Sequence, residues 1–229
     1  MSFLHFSAYQ FVTLTDLSAL RDYFFQHAQQ LALKGTILLS AEGINLNLSG
    51  VIENSQALQA LLLADVRFSK ISFREQVTDK FSFQRLKVKI KKEIITLRQP
   101  DIHPEKTRAP SITPTLLKQW LDEQREMTLL DTRNEYEIQQ GSFVGAINPH
   151  IQHFTEFPIA AANIQRDKPI VMFCTGGIRC EKAALYMLQQ GFNEVYQLEG
   201  GILNYFAEVG EKDKHYQGGC FVFDEREVV

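Results

Sequence analysis

Residues 169–191 read PIVMFCTGGIRCEKAALYMLQQG, an apolar run that ends on Cys174, a glycine pair, and then helical spacing that closes at Gly191. A short buried strand running directly into a helix is half of a parallel β-α-β unit, whose sheet is covered on both faces. Neighbouring segments repeat the pattern. TPTLLKQWLDEQ (113–124) predicts a helix and TLLDTR (128–133) a short buried strand. FVGAINP (143–149), PIVMFC (169–174) and EVYQLEGG (194–201) predict further strands. The expectation for residues 112–210 is therefore an α/β domain with a central parallel sheet, followed by a C-terminal extension over 211–229.

Upstream, RQPDIHPEKTRAPSITP (98–114) holds four prolines among polar residues, which is linker chemistry. The boundary is placed there, with 1–98 as a first domain and 99–111 as the linker. FSAYQFVTL (6–14) is strand-like, and DLSALRDYFFQHAQQLAL (16–33) has helical spacing, with Thr15 or Asp16 as N-cap. GTILLSAEGINLNLSG (35–50) reads as a hairpin turning at Glu42-Gly43, and VIENSQALQALLLAD (51–65) as a second helix. RFSKISFREQV (67–77) and LKVKIKKEIITL (86–97) complete the strands. This order is that of a ferredoxin-like (acylphosphatase-like) α+β sandwich with one added strand.

The 229 residues suffice for two cores, and 45% apolar with 22% charged residues is ordinary for a globular protein. The N-terminus lacks a basic leader, and no apolar run approaches the roughly 20 residues of a membrane helix, so no membrane association is expected. Three cysteines, an odd number, point to reduced thiols in a cytoplasm. The net charge of −3 gives no general affinity for polyanions, yet residues 85–98 hold six Lys/Arg against one Glu. Arg85, Lys87, Lys89 and Lys91 alternate, so a strand sets them on one face, with Lys92 beside them. That face suits phosphate contacts to RNA, which position without reading sequence. Asn45 and Asn47 share a face of the hairpin, which fits a second RNA surface and ordinary hairpin chemistry equally well.

Chemistry centres on Cys174. The loop Thr175, Gly176, Gly177, Ile178 and Arg179 can curl its amides inward ahead of a helix N-terminus that starts near Arg179 or Cys180. Such a nest favours an anion and lowers the pKa of a thiol, making it a nucleophile. Thiol phosphatases place five residues between cysteine and arginine; four stand here, which disfavours that activity. Cys180 is either packed against the sheet or a second reactive thiol, and Cys220 is expected to be structural. Asp131 and Arg133 should lie near the loop as an ion pair tying two loops together, with a direct catalytic part as the alternative. Arg179 either pins the loop to a carboxylate or faces a phosphate, and Glu181 and Lys182 are expected at the surface. His150 and His153, three apart, suit a solvated helical face better than a metal site. No metal site and no dinucleotide fingerprint are recognisable, so no cofactor is expected.

LLDTRNEYEIQQGSFVGAINP (129–149), CTGGIRCEKAALYM (174–187) and VYQLEGGILNYF (195–206) resemble the three signatures of rhodanese domains. With AEGINLNLSG (41–50), FQRLKVKIKKEIITL (83–97) and GGCFVFDER (218–226), the chain resembles the rhodanese-containing tRNA uridine hydroxylase family over nearly its whole length. The resemblance implies an α/β rhodanese domain, tRNA as partner, and oxygen-dependent formation of 5-hydroxyuridine at the wobble position, with O2 as co-substrate. It puts the family's essential cysteine on Cys174. TRAPSITPTLLKQW (107–120) matches only loosely, and many members continue past FDER into a cysteine-rich tail. The alternative is a sulfurtransferase working through a cysteine persulfide, which the rhodanese loop alone predicts. A third reading, an inert binding module, is opposed by the intact loop.

Overall fold

The computed structural model describes residues 2–223 and Val228. The chain forms two compact units, one ending at Ile95 and the other spanning Thr96–Phe223.

The first unit runs β1 (Phe3–Phe11), α1 (Leu17–Gln30), β2 (Lys34–Ser40), β3 (Gly43–Val51), α2 (Ile52–Ala64), β4 (Arg74–Thr78) and β5 (Leu86–Ile90). Its sheet has the order β4-β1-β3-β2-β5; β5 joins the edge parallel to β2, and all other pairings are antiparallel. This is the ferredoxin-like, acylphosphatase-like sandwich with one added strand. Along β3, Ile44, Leu46 and Leu48 are fully buried, while Asn45 and Asn47 on the opposite face are partly exposed. Phe24 and Ala28 of α1 and Leu58 and Leu62 of α2 join the same core. Gly43 lets β3 lie close against β1: its φ is +147°, and a Cβ there would stand 2.1 Å from the Gln10 carbonyl oxygen.

Two local expectations need correction. The strand foreseen over 86–97 ends at Ile90. Beyond Lys91 the backbone of Ile94 is taken by side chains, its N–H by Glu42 Oε1 at 2.7 Å and its carbonyl by Asn45 Nδ2 at 3.1 Å, and Ile94 turns into the interior. The strand foreseen from residue 67 begins only at Arg74, because Val66–Phe68 form a 3-10 turn that Asp65 caps through the Arg67 N–H. Asp16 does occupy the N-cap of α1, but its carboxylate binds Arg67 at 2.6 Å rather than the helix amides.

The second unit runs β6 (Ser111–Ile112), α3 (Pro114–Asp122), β7 (Thr128–Asp131), α4 (Glu135–Ile138), β8 (Gly141–Phe143), α5 (Phe157–Ala161), β9 (Ile170–Phe173), α6 (Ile178–Gln189), β10 (Val195–Leu198), α7 (Gly201–Val209) and β11 (Tyr216–Gly218). Four strands make a parallel sheet in the order β6-β10-β9-β7, and β8 pairs antiparallel with β11 outside it. All four residues of β9 are buried, as a strand covered on both faces requires. The foreseen strand 143–149 is mostly turn: β8 stops at Phe143, and beyond it Ile147 makes one isolated bridge to Leu130. Ile102 and Ala109, in the proline-rich segment, are buried. Among the described residues no helix is long and apolar enough to cross a membrane.

Candidate active site

Cys174 leaves the carboxyl end of β9 and is completely buried. Gly177, at φ +98°, is the N-cap of α6, and its N–H donates to Cys174 Sγ at 3.1 Å. The helix therefore starts at Ile178, slightly before the expected point. The loop carbonyls are held from the other side. Ile202 N–H donates to the Cys174 carbonyl at 2.9 Å and Leu203 N–H to that of Thr175 at 3.1 Å. With its carbonyls fixed on α7, the loop turns amides toward the sulfur. Burial pushes the Cys174 thiol up, but the Cys180 thiol, the Arg179 charge and the N–H groups of Arg179 and Gly177 outweigh it and bring the pKa down to about 5. Burial and the facing Cys174 sulfur push Cys180 well above the usual thiol range. Thr132 Oγ1 lies 3.5 Å from Cys180 Sγ. The site thus favours the thiolate on Cys174, facing backbone amides and a second thiol.

Arg179 is turned inward. Its Nη1 and Nη2 donate to the two carboxylate oxygens of Glu137 at 2.6 and 2.8 Å, and both side chains are buried. Glu137 is itself fixed in the capping box of α4, where it accepts from the Asn134 N–H at 3.1 Å. Of the two parts foreseen for Arg179, pinning the loop to a carboxylate is the one this geometry fits. Arg133 pairs with Asp131 at 2.9 and 2.7 Å, donates to the Gly141 carbonyl at 2.6 Å, and is fully buried. Ser142 adds a hydrogen bond to Asp131 at 2.7 Å, so this pair ties β7 to β8.

Residues 3–94 match the UPF0176 acylphosphatase like domain, and residues 113–208 match the Rhodanese-like domain. A Ralstonia nicotianae protein described as tRNA uridine(34) hydroxylase is 50% identical over 234 residues, covering 99% of this chain and 82% of the relative. A Thiobacillus denitrificans protein of the same description is 48% identical over 237 residues, covering all of this chain and 95% of the relative. The chain belongs to the tRNA uridine(34) hydroxylase family.

The other residues singled out in the sequence fall into place within this family fold. Glu181 and Lys182, expected at the surface, are buried, because the first turn of α6 lies under neighbouring elements. Glu181 accepts from Gln197 Nε2 at 3.3 Å and faces Arg108 at 3.8 Å. Cys220 is buried as well, and burial pushes its thiol up to about 11. His150 and His153 share no helix: His150 sits in a loop at φ +53°, with its Nδ1 2.9 Å from Glu135 Oε2. Arg85, Lys87, Lys89, Lys91 and Lys92 are exposed on β5 and its continuation, while Leu86 and Val88 pack on the core. Arg85 and Lys87 also line a surface cavity of about 310 Å³ with Thr36, Phe83 and Gln84. Sequence reasoning missed Glu137 and Gly201. The N-x-x-E spacing of residues 134–137 is a capping-box signal and was the available clue to Glu137.

Proposed function

We propose that this chain hydroxylates C5 of uridine 34 in tRNA with molecular oxygen, and that Cys174 is its nucleophile. The observation that supports the reading is a buried Cys174 sulfur that accepts from the Gly177 N–H, in a chain half identical to proteins described as tRNA uridine(34) hydroxylases. Adding that thiolate to C6 of the uracil ring moves an electron pair toward C5 and O4, making C5 nucleophilic toward an electrophilic oxygen. Loss of the C5 proton and departure of the thiolate then restore the ring. One atom of O2 enters the base and the other leaves as water, with two electrons and two protons drawn from an external reductant. Arg85, Lys87, Lys89, Lys91 and Lys92 supply phosphate contacts. Work on tRNA implies the cytoplasm, where the three thiols stay reduced.

The match of residues 113–208 to the Rhodanese-like domain favours a second reading, sulfur transfer through a Cys174 persulfide. Nucleoside mass spectrometry on tRNA from cells grown under labelled oxygen gas separates the two. Labelled 5-hydroxyuridine that disappears in a strain lacking the protein and in Cys174→Ser is the expected result. An unlabelled, sulfur-containing product transfers the chain to the second reading, and full labelling in Cys174→Ser removes the cysteine from the chemistry.

A further inference from the structure

Three aromatic side chains stand at the rim of the cysteine loop. Tyr136, on α4, is 41% exposed although the next residue, Glu137, is fully buried. Phe223 is 56% exposed, and Phe221 between them is partly exposed. The rings form a chain of edge-to-face contacts, with centroids 5.3 Å apart for Tyr136 and Phe221 and 5.2 Å for Phe221 and Phe223. The group is fastened to the loop at three points. Glu137, beside Tyr136, holds Arg179 through two hydrogen bonds of 2.6 and 2.8 Å. The Thr175 hydroxyl donates to the Phe221 carbonyl at 3.4 Å. The Arg179 guanidinium carbon lies 5.8 Å from the centre of the Phe223 ring. Room is available at the loop itself, since a Cβ added at Gly176 would meet no atom within 4 Å.

Burying an aromatic ring stabilises a fold by about 1.5–3 kcal/mol, and rings left half in water forgo much of that. An exposed aromatic group rigidly tied to a nucleophilic loop has the makings of a ligand contact. In a T-shaped pair one ring spends only its edge, so its faces remain for a third partner. We propose that Tyr136, Phe221 and Phe223 form a stacking platform that receives unstacked bases of the anticodon loop next to the target uridine. The inference rests on the reading of the chain as a tRNA hydroxylase and assigns how that site takes its substrate. Single-stranded loop bases are recognised by stacking on aromatic faces, and every base has such a face. The platform therefore holds the splayed loop without choosing sequence, and leaves the choice of uridine to the pocket at Cys174.

The test reads binding apart from turnover, using the full chain carrying Cys174→Ser and a synthetic anticodon stem-loop with an unmodified uridine 34. Phe223→Leu and Tyr136→Leu keep an apolar side chain and lose the ring; each should weaken stem-loop binding about 5- to 150-fold. Phe223→Trp should keep the affinity, and its indole emission should be quenched as the stem-loop is added. The other tryptophan, Trp120, is 8% exposed and supplies a constant background. Leu variants that bind like their parent, an indole indifferent to the stem-loop, or a parent that does not bind it, each overturn the platform. The two proposals fail separately. Ring-dependent binding without labelled hydroxyuridine removes the hydroxylase reading and keeps the platform; labelled hydroxyuridine with ring-independent binding does the reverse.

Discussion

Two cysteines six residues apart carry opposite tendencies, and the difference is local. Burial raises both thiols and the Arg179 charge lowers both, but Cys174 alone collects the Gly177 and Arg179 N–H groups and the Cys180 S–H, which help bring it to about 5. The folded value lies below the ordinary thiol value of about 8.5, so Cys174 contributes stability fully above that pH and loses it as pH falls toward 5. Cys180 is shifted the other way, and its contribution is lost as pH rises beyond its unfolded value. Thiolate ultraviolet absorbance should show one ionisation near pH 5 that is absent in Cys174→Ser. Cys180→Ala removes a donor, so this transition should move upward; an unmoved transition would show that the second thiol does not hold the first. The glycine pair after a buried strand made the Cys174 loop legible. The acceptor of Arg179 was not, because Glu137 stands 42 residues away and no periodicity links them.

At the scale of elements, the cysteine loop is shaped by α7, which follows it in sequence only after α6 and β10. The first turn of α7 donates to the Cys174 and Thr175 carbonyls, an approach that requires Gly201. Its φ is +66°, and a Cβ there would lie 2.2 Å from the Cys174 carbonyl oxygen and 2.9 Å from the Gly177 nitrogen. Gly201→Ala should therefore lower stability by about 1–3 kcal/mol in urea unfolding and raise the Cys174 ionisation, because the loop must shift. Gly176→Ala enters open space and should change stability by no more than about 0.5 kcal/mol. Equal losses from the two substitutions would refute the clamp. The strand-to-helix reading of β9 and α6 succeeded because period and length agreed. The strand reading overran at 86–97, where Ile94 is buried by a turn that side chains stabilise, and at 143–149, where an isolated bridge holds Ile147 while Val144 and Ile147 stay exposed. In those two segments composition resembled a strand, while the partner that decides the backbone path came from elsewhere in the chain.

At the scale of the molecule, the charge pattern separates binding from chemistry. The chain carries −3 overall, yet β5 and its continuation expose Arg85, Lys87, Lys89, Lys91 and Lys92 on an edge strand. Lysines on a sheet edge also deter edge-to-edge association, so exposure alone does not assign them to RNA. Salt dependence does. Each cation set on a phosphate displaces condensed counterions and adds about 0.7–0.9 to the slope of log affinity against log salt. Replacing Lys87, Lys89 and Lys91 by glutamine should weaken tRNA binding and reduce that slope by about 2 to 3. It should leave the ionisation near pH 5 in place, since no group of β5 is among the causes of the Cys174 shift. An unchanged slope would return these lysines to guarding the sheet edge. A changed slope with an unchanged thiolate would show that one unit of the chain grips the polyanion while the other holds the nucleophile.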